Sequence, residues 1–274
     1  MLNTIKKLRL IGEFLRYHRG KTIMSEEKRY GSVLYKSIEI LDYLRDVENP
    51  VRLTELCMEF NMNKGTLSKI LNSMLDLNLV SKDEMTNRFT LGSRLIGYGT
   101  AAVRQFNIES IATPFMDELH SKIGETIHLS IEENGQMMYL KKYEAIATVN
   151  LRSRVGQTVP MYASATGKAT LAAKSDKEIY DYYHLADVIQ ITNNTLTNFA
   201  DLMADIQRIR LRGYALDREE CELGVRSAAV AFTKLGKTYG AISISVPKYR
   251  LTEELSQKIC SALLEVKEKI EKKL

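Results

Sequence analysis

A run of hydrogen-bonding side chains without a single acid lies between Asn63 and Leu75. At helical spacing its apolar residues fall on one face and its polar residues on the opposite face. Lysine, serine, threonine and asparagine donate hydrogen bonds to phosphates and base edges, and glycine lets a backbone approach closely. The candidate contacts to nucleic acid are Lys64, Gly65, Thr66, Ser68, Lys69 and Asn72. An ordinary surface helix has the same pattern, so this stretch alone leaves both interpretations open.

A second polar stretch, Ser164 to Ala169, contains residue types found in phosphate-binding and catalytic loops. Its spacing is wrong for a phosphate loop, because Tyr162 stands in place of the first glycine and Ala169 in place of the hydroxyl residue. Ser164 and Lys168 are four residues apart, which does not match a Ser-x-x-Lys nucleophile pair. The histidines are isolated from one another and from the cysteines, which argues against zinc. We therefore expect no catalytic residue, no metal and no cofactor.

The elements around the first stretch favour DNA binding. The sequence predicts a short helix at Leu53–Phe60, a polar turn at Asn61–Asn63, and a second helix for which Asn63 is a good N-cap. An earlier helix is predicted from the spacing of its apolar residues, Val33, Leu34, Ile38, Leu41 and Leu44. The order of these elements is that of a helix-turn-helix.

A predicted β-hairpin follows the second helix directly. Residues 79–82 and 88–91 alternate as strands do, and residues 83–87 form the turn between them. Three helices followed by a hairpin is the winged-helix variant of the helix-turn-helix. Arg88 on the wing is the natural contact to phosphate or to the minor groove.

The rest of the chain predicts a different architecture. Predicted strands and helices come in separate runs, with an Asn134-Gly135 hairpin turn between two apolar runs. Strands are expected at 126–131, 137–143, 148–151, 215–217, 225–232 and 239–246, and helices at 108–119, 164–173, 175–184, 198–212 and 252–273. We interpret this half as an antiparallel sheet with helices, so the chain as a whole is α+β.

Charge is concentrated at the N-terminus. Residues 1–29 hold eight basic and three acidic residues, a surplus equal to the whole net charge of +5. Residues 30–91 hold seven basic and nine acidic residues, so the predicted winged helix is not basic overall. The three cysteines form no disulfide or metal spacing, and we find neither a membrane-spanning run nor a signal peptide. A cytoplasmic location is expected.

Five ordered stretches resemble one known family, the IclR transcription regulators of bacteria. They are Asn63–Lys69 with Phe89–Gly92, Gly124–Leu129, Arg154–Ala169, Gly213–Glu220 with Gly224–Ala229, and Ala241–Ser245. The resemblance implies a winged helix, a linker helix and a profilin- or GAF-like effector-binding domain. It also implies homodimers that pair into tetramers, and control by organic acids, sugar acids or aromatic metabolites.

The resemblance also implies an effector site at Ala165, Thr166, Asp217 and Ser227. A turn that enters a helix presents free amides and the positive end of the helix dipole, which suits a carboxylate. The alternative is ordinary capping by Ser164 without a ligand. Where Ser227 stands the family usually has cysteine, so the effector here is expected to differ. Asp217 suggests a ligand that carries a hydroxyl as well as a carboxylate.

The sequence therefore predicts four segments: a basic helical arm at 1–29, a winged helix-turn-helix at 30–91, a linker helix at 92–106 and an effector-binding domain at 107–274. The arm either contacts DNA or packs in the dimer. We expect a DNA-binding regulator that acts as a repressor. Its binding to double-stranded operator DNA would be controlled by a small carboxylate. The alternative is a small-molecule-binding protein or enzyme whose winged helix mediates protein contacts.

Overall fold

The computed structural model describes residues 31–47, 49–103, 107–147 and 151–274. The chain divides into two compact units, with the boundary between Gly99 and Thr100. The predicted basic arm at 1–29 lies outside the described residues. So do residues 104–106 of the predicted linker helix and residues 148–150 of one predicted strand.

The first unit contains helices and a small antiparallel sheet with strand order β1-β3-β2. The elements are α1 (Ser32–Asp46), β1 (Val51–Arg52), α2 (Leu53–Phe60), α3 (Lys64–Asp76), β2 (Val80–Lys82), β3 (Arg88–Leu91) and α4 (Arg94–Val103), the last of which crosses the boundary. The helix-turn-helix and its wing therefore lie where the sequence predicts them. The sequence did not indicate β1, a two-residue strand that pairs with β3.

The turn between α2 and α3 follows from two asparagines. Asn61 ends α2 in the left-handed region at φ 49°, which asparagine tolerates better than most residues. Asn63 begins α3 by accepting a hydrogen bond from the amide of Thr66 at 2.9 Å, as its N-cap position predicts. Leu67, Ile70 and Leu71 of α3 are buried in the core of the first unit.

The apolar face predicted for α1 is only partly correct. Ile40 and Leu44 are buried in the core, but Val33, Leu34 and Ile38 are each at least half exposed. The buried face of a helix is fixed by the elements that pack on it, and a stripe read from spacing alone cannot show how far along the helix that packing extends.

The second unit is a six-stranded antiparallel sheet, order β6-β5-β4-β9-β8-β7, with helices on both faces. The helices are α5 (Asn107–Ile123), α6 (Ala165–Ala172), α7 (Asp176–Leu185), α8 (Phe199–Arg212) and α9 (Glu253–Glu271). The strands are β4 (Thr126–Glu133), β5 (Gln136–Tyr143), β6 (Thr158–Pro160), β7 (Ala215–Arg218), β8 (Val225–Lys234) and β9 (Lys237–Pro247). The α+β class is confirmed.

Alternation along the strands divides the second unit into two cores. On β4, Ile127, Leu129 and Ile131 pack against α5 and α9. The intervening residues of the central strands face α6, α7 and α8, where small side chains such as Ala229 and Ala241 let α6 lie close to the sheet. Helices therefore cover both faces of the sheet, and polar residues near its centre, such as His128 and Ser243, are buried.

A local signal predicted one connection of this unit, whereas two of its short segments differ from the prediction. Asn134 and Gly135 have φ of 51° and 74° and join β4 to β5, as the Asn-Gly pair predicts. The predicted strand at 148–151 lies largely outside the described residues, and Leu151 is not in a strand. The sequence missed β6, which is three residues long and too short for an alternating pattern to show.

Candidate functional site

The polar face of α3 is open to solvent. Lys64, Gly65, Thr66, Lys69 and Asn72 are exposed and Ser68 is half-buried. Their opposite face is fixed by the buried Leu67, Ile70 and Leu71, so the polar groups point away from the core. The structure therefore brings the six predicted contacts together on one acid-free surface.

Neither close packing nor an unusual backbone conformation requires glycine at Gly65. The nearest atom to a Cβ placed there is Oδ1 of Asn63 at 3.6 Å, which is an ordinary van der Waals distance. Its φ is not in the left-handed region. Glycine in a helix costs about 1 kcal/mol relative to alanine, so the chain gives up stability at a solvent-facing position.

The structure places Arg88 at the base of the wing and not at its tip. Arg88 begins β3 and its Nη1 donates to the carbonyl oxygen of Pro50 at 2.6 Å. The tip, residues 83–87, is capped by Asp83, whose Oδ1 accepts from the amide of Thr86 at 2.7 Å. Arg88 thus ties the wing to Pro50, the residue before β1.

The N-terminus of α6 begins as its sequence predicts. Ser164 is the N-cap, and its Oγ accepts from the amide of Gly167 at 3.1 Å. The amide of Lys168 donates to the Ser164 carbonyl oxygen at 2.9 Å. Within the described ranges, the amides of Ala165 and Thr166 have no acceptor. These two amides are the free donors of the first turn.

Gly167 and Lys168 serve the packing of α6. A Cβ at Gly167 would lie 2.1 Å from Cα of Met161, so only glycine fits where the helix crosses that backbone. The Lys168 Nζ is fully buried, 2.9 Å from Oδ2 of Asp205 and 2.6 Å from Oε2 of Glu220. Burial tends to raise the pKa of Asp205, but the Lys168 ammonium outweighs it and holds that pKa below its usual range. Lys168 is a buried structural cation.

Asp217 and Ser227 are register partners on β7 and β8. Oδ1 of Asp217 accepts from the amide of Glu220 at 2.7 Å, and Glu220 in turn binds Lys168 of α6. Burial raises the pKa of Asp217 to about 7, and the neighbouring Glu220 carboxylate adds to the shift. Ser227 Oγ lies 2.9 Å from Oγ of Ser245. The helix α6, which begins with Ala165 and Thr166, packs on β7 and β8, the strands that hold Asp217 and Ser227.

Glu219, which precedes Glu220 in the chain, has a separate, structural role. Glu219 Oε1 lies 2.8 Å from Lys248 Nζ and 3.5 Å from Arg226 Nη2. These contacts make Glu219 and Arg226 a surface ion-pair network at the end of β8.

Sequence reasoning did not single out three polar residues of β4 on the α6 face of the sheet. Thr126, His128 and Ser130 alternate with the apolar core residues and face the α6 side. His128 stacks on Tyr139 at 4.3 Å between ring centroids, and its Nε2 lies 2.7 Å from Ser153 Oγ. Burial lowers the pKa of His128 to about 3, with a contribution from Lys142, so the imidazole is neutral. The signal was present in the sequence, as polar residues alternating on a strand covered on both faces.

Two other kinds of feature, a metal site and a membrane-spanning helix, are absent from the described residues. In the ranges that the structure covers, no group of three or more His, Cys, Asp or Glu side chains is arranged to hold a metal ion. No helix among the described residues is both long and apolar enough to cross a membrane.

Two family models match this chain in sequence. Residues 100–272 match the bacterial transcriptional regulator IclR C-terminal domain, and residues 33–84 match the IclR helix-turn-helix domain. The first model alone covers more than half of the chain. The chain belongs to the IclR family.

Relatives and solved structures agree with this IclR assignment. An uncharacterized HTH-type transcriptional regulator of Haemophilus influenzae is 30% identical over 236 residues, 84% of this chain and 88% of the relative. The DNA-binding transcriptional repressor YiaJ of Escherichia coli is 29% identical over 245 residues, 88% of this chain and 87% of that protein. The protein is accordingly a DNA-binding transcription regulator and not an enzyme.

The structural likeness covers both units. The crystal structure of Thermotoga maritima IclR has a TM-score of 0.76 and 32% identity, covering 89% of this chain and 99% of that one. An IclR homologue from Microbacterium hydrocarbonoxydans, solved with 4-hydroxybenzoate, has a TM-score of 0.71 at 17% identity, covering 87% of this chain and 98% of that one. At that identity the second likeness shows the fold alone.

Proposed function

We propose that this regulator reads operator DNA with α3 and that a small carboxylate bound in the second unit controls that binding. The observation that supports this proposal is the pair of amides without an acceptor at Ala165 and Thr166, at the start of a helix that packs on the strands of Asp217 and Ser227. An anion there meets two N–H donors and the positive end of the α6 dipole. The homologue solved with 4-hydroxybenzoate, a carboxylate, supports this ligand class.

On the DNA side, Lys64, Thr66, Ser68 and Lys69 lie in the major groove in this proposal, and Gly65 lets the helix approach closely. Asn72, two turns into α3, extends the same face. Arg88 contacts phosphate beside the wing while it holds Pro50. A homodimer or a dimer of dimers then requires a pseudo-palindromic operator with half-sites about 34 Å apart, one turn of DNA.

The recognition surface is tested by gel shift with the DNA upstream of the neighbouring gene. Lys69→Ala and Thr66→Ala are each expected to weaken binding, because each removes one contact to a base or phosphate. Lys237→Ala changes an exposed lysine at the start of β9; it is the matched control and should bind as wild type does. Wild-type affinity in both α3 variants would show that another surface binds DNA.

The control of binding is tested with the same assay and a panel of carboxylates. An effective acid should change operator affinity in the wild type, and Asp217→Asn and Ala165→Pro should reduce that response. Proline at 165 removes one of the two free amides and is tolerated at the first helical position, after the extended Ser164. An undiminished response in both variants would place the effector elsewhere.

One observation favours a second candidate, in which the winged helix contacts protein. Residues 30–91 are acidic on balance, and the wing tip carries Asp83, Glu84 and the exposed Met85. Phosphate contacts make affinity fall steeply with salt, whereas a protein partner does not require that slope. A salt titration of operator binding distinguishes the two, since absent or salt-independent binding supports the second.

A further inference from the structure

A row of polar side chains crosses four adjacent strands on the α6 face of the sheet. Strand register places Thr126 of β4 beside Ser245 of β9, Ser245 beside Ser227 of β8, and Ser227 beside Asp217 of β7. The Ser227–Ser245 contact of 2.9 Å shows that these side chains share one face. Strands lie about 4.8 Å apart, so the row spans about 14 Å.

A second line of polar groups leaves this row along β4. Thr126, His128 and Ser130 are each at most 1% exposed. Thr126 Oγ1, His128 Nδ1 and Ser130 Oγ have no hydrogen-bond partner within the described part of the chain. Buried polar atoms are nearly always hydrogen-bonded, so three unsatisfied atoms at alternate positions of one strand indicate a missing partner.

The chemistry of these atoms restricts what that partner is. His128 Nδ1 belongs to a neutral imidazole, and the hydroxyls of Thr126 and Ser130 both donate and accept. Ligand hydroxyls can use both the donor and the acceptor capacity of these groups, whereas a second carboxylate can only accept. The nearby Lys142 Nζ is already bound to the carbonyl oxygens of Leu151 and Ser153, both at 2.7 Å.

We propose that the effector site extends along this line and takes a polyhydroxylated carboxylic acid, a sugar acid. Its carboxylate binds the amides of Ala165 and Thr166, and its hydroxyls bind the row from Ser227 to Thr126 and the imidazole of His128. The inference rests on the proposed function and narrows its ligand class. His128, Thr126 and Ser245 become specificity-determining residues.

Two other ligand classes fit these contacts less well. One face of the Tyr139 ring is covered by His128, and an aromatic ligand would leave the β4 hydroxyls unpaired. An acid with two or three carbons spans about one strand spacing of 4.8 Å and reaches only part of the row. Ordered water is the remaining occupant, and the experiments below distinguish it from a ligand.

The first experiment measures binding to the full-length protein by calorimetry, with D-gluconate and D-galactonate as probes. Hexanoate has the same chain length without hydroxyls, and glycolate is a short hydroxy acid. We expect at least one aldonate to bind about tenfold or more tightly than either comparison acid, since several hydrogen bonds are lost with the hydroxyls. Equal or tighter binding of hexanoate or glycolate, or no binding of either aldonate, overturns the proposal.

The second experiment tests the residues. Thr126→Val keeps the shape but removes the hydroxyl, so we expect aldonate affinity to fall by about tenfold while hexanoate affinity is unchanged. The melting temperature of the free protein should not fall, because the lost hydroxyl has no partner there. Ser245→Ala tests the next strand in the same way. If aldonate affinity is unchanged in both variants, water alone occupies the line and the proposal fails.

Ile127→Val is the matched control, because Ile127 is the next residue on β4 and packs on the opposite face. It should lower the melting temperature and leave aldonate affinity unchanged. The two proposals fail separately. Release of operator DNA by hexanoate or 4-hydroxybenzoate but not by aldonates would keep the effector site and overturn the sugar-acid class. Aldonate binding together with wild-type operator affinity in both α3 variants would keep the sugar-acid class and overturn the proposal that α3 reads the operator.

Discussion

At the scale of single residues, buried charge decides which polar groups are structural. Lys168 is buried between Asp205 and Glu220, so Lys168→Met leaves two buried carboxylates without their cation. Breaking a buried pair in this way costs about 3–5 kcal/mol. Lys177→Met is the control, because Lys177 pairs with Asp181 at an exposed site where such pairs contribute about 1 kcal/mol or less. Chemical denaturation of both variants checks this, and similar losses would contradict the assignment.

His128 and Asp217 are expected to give opposite pH dependences of stability. The pKa of His128 falls from 6.5 to about 3 on folding, so its contribution is full above pH 6.5 and is lost as pH falls towards 3. The pKa of Asp217 rises from 3.8 to about 7, so its contribution is full below pH 3.8 and is lost as pH rises through 7. Between these limits each slope is at most about 1.4 kcal/mol per pH unit, and the two oppose each other.

Single substitutions separate the two slopes. Relative to wild type, His128→Gln should gain stability as pH falls from 6.5 to 4.5, and Asp217→Asn should gain stability as pH rises over the same interval. The amide oxygen of the introduced asparagine can still accept from the Glu220 amide, so the turn is kept. Melting temperatures at several pH values measure both differences. Slopes of the same sign, or no slope, would show that these two groups titrate normally.

At the scale of elements, the close approach of α6 to Met161 depends on one missing methyl group. Gly167→Ala places a Cβ 2.1 Å from Cα and 2.5 Å from the carbonyl oxygen of Met161. Overpacking against backbone costs about 1–3 kcal/mol or more. Gly99→Ala is the control, since no atom lies within 4 Å of its Cβ position in α4. Thermal unfolding should show a loss for the first variant and none for the second.

Gly65 allows a complementary prediction on α3. Gly65→Ala should stabilise the first unit by up to about 1 kcal/mol and weaken operator binding, because the helix gains propensity and loses its closest approach. Gly97→Ala in α4 should give a similar gain with no change in binding, as it also has open space around its Cβ. Stronger or unchanged operator binding by Gly65→Ala would place this turn of α3 away from the DNA.

Elements with local signals could be predicted from the sequence, and those set by tertiary packing could not. Asn63 and the Asn134-Gly135 turn fix α3 and the β4–β5 hairpin through their own backbone geometry. The two-residue β1 and three-residue β6 exist only because β3 and β5 offer partners. The site shows the same division. Asp217 and Ser227 were predicted from motif resemblance. Thr126 lies in the same row because of the strand register, which cannot be read from the sequence.

At the scale of the whole molecule, the proposed ligand control must link two units that fold around separate cores. A ligand shifts operator binding only through unequal affinity for the DNA-bound and free forms. The coupling is reciprocal, so operator DNA must change effector affinity by the same factor as the effector changes operator affinity. This holds whichever acid proves to be the effector.

The coupling can be measured in both directions on the full chain. Operator affinity is measured by gel shift at zero and saturating effector, and effector affinity by calorimetry with and without an operator duplex. For a typical coupling of about 1–3 kcal/mol, both factors should lie between about 5 and 150 and agree. Asp217→Asn should reduce both factors together, whereas Lys69→Ala should weaken DNA binding and keep the ratio. Different factors in the two directions would mean that the acid and the DNA act on different assemblies of the chain, and the effector would then act through dimer or tetramer formation.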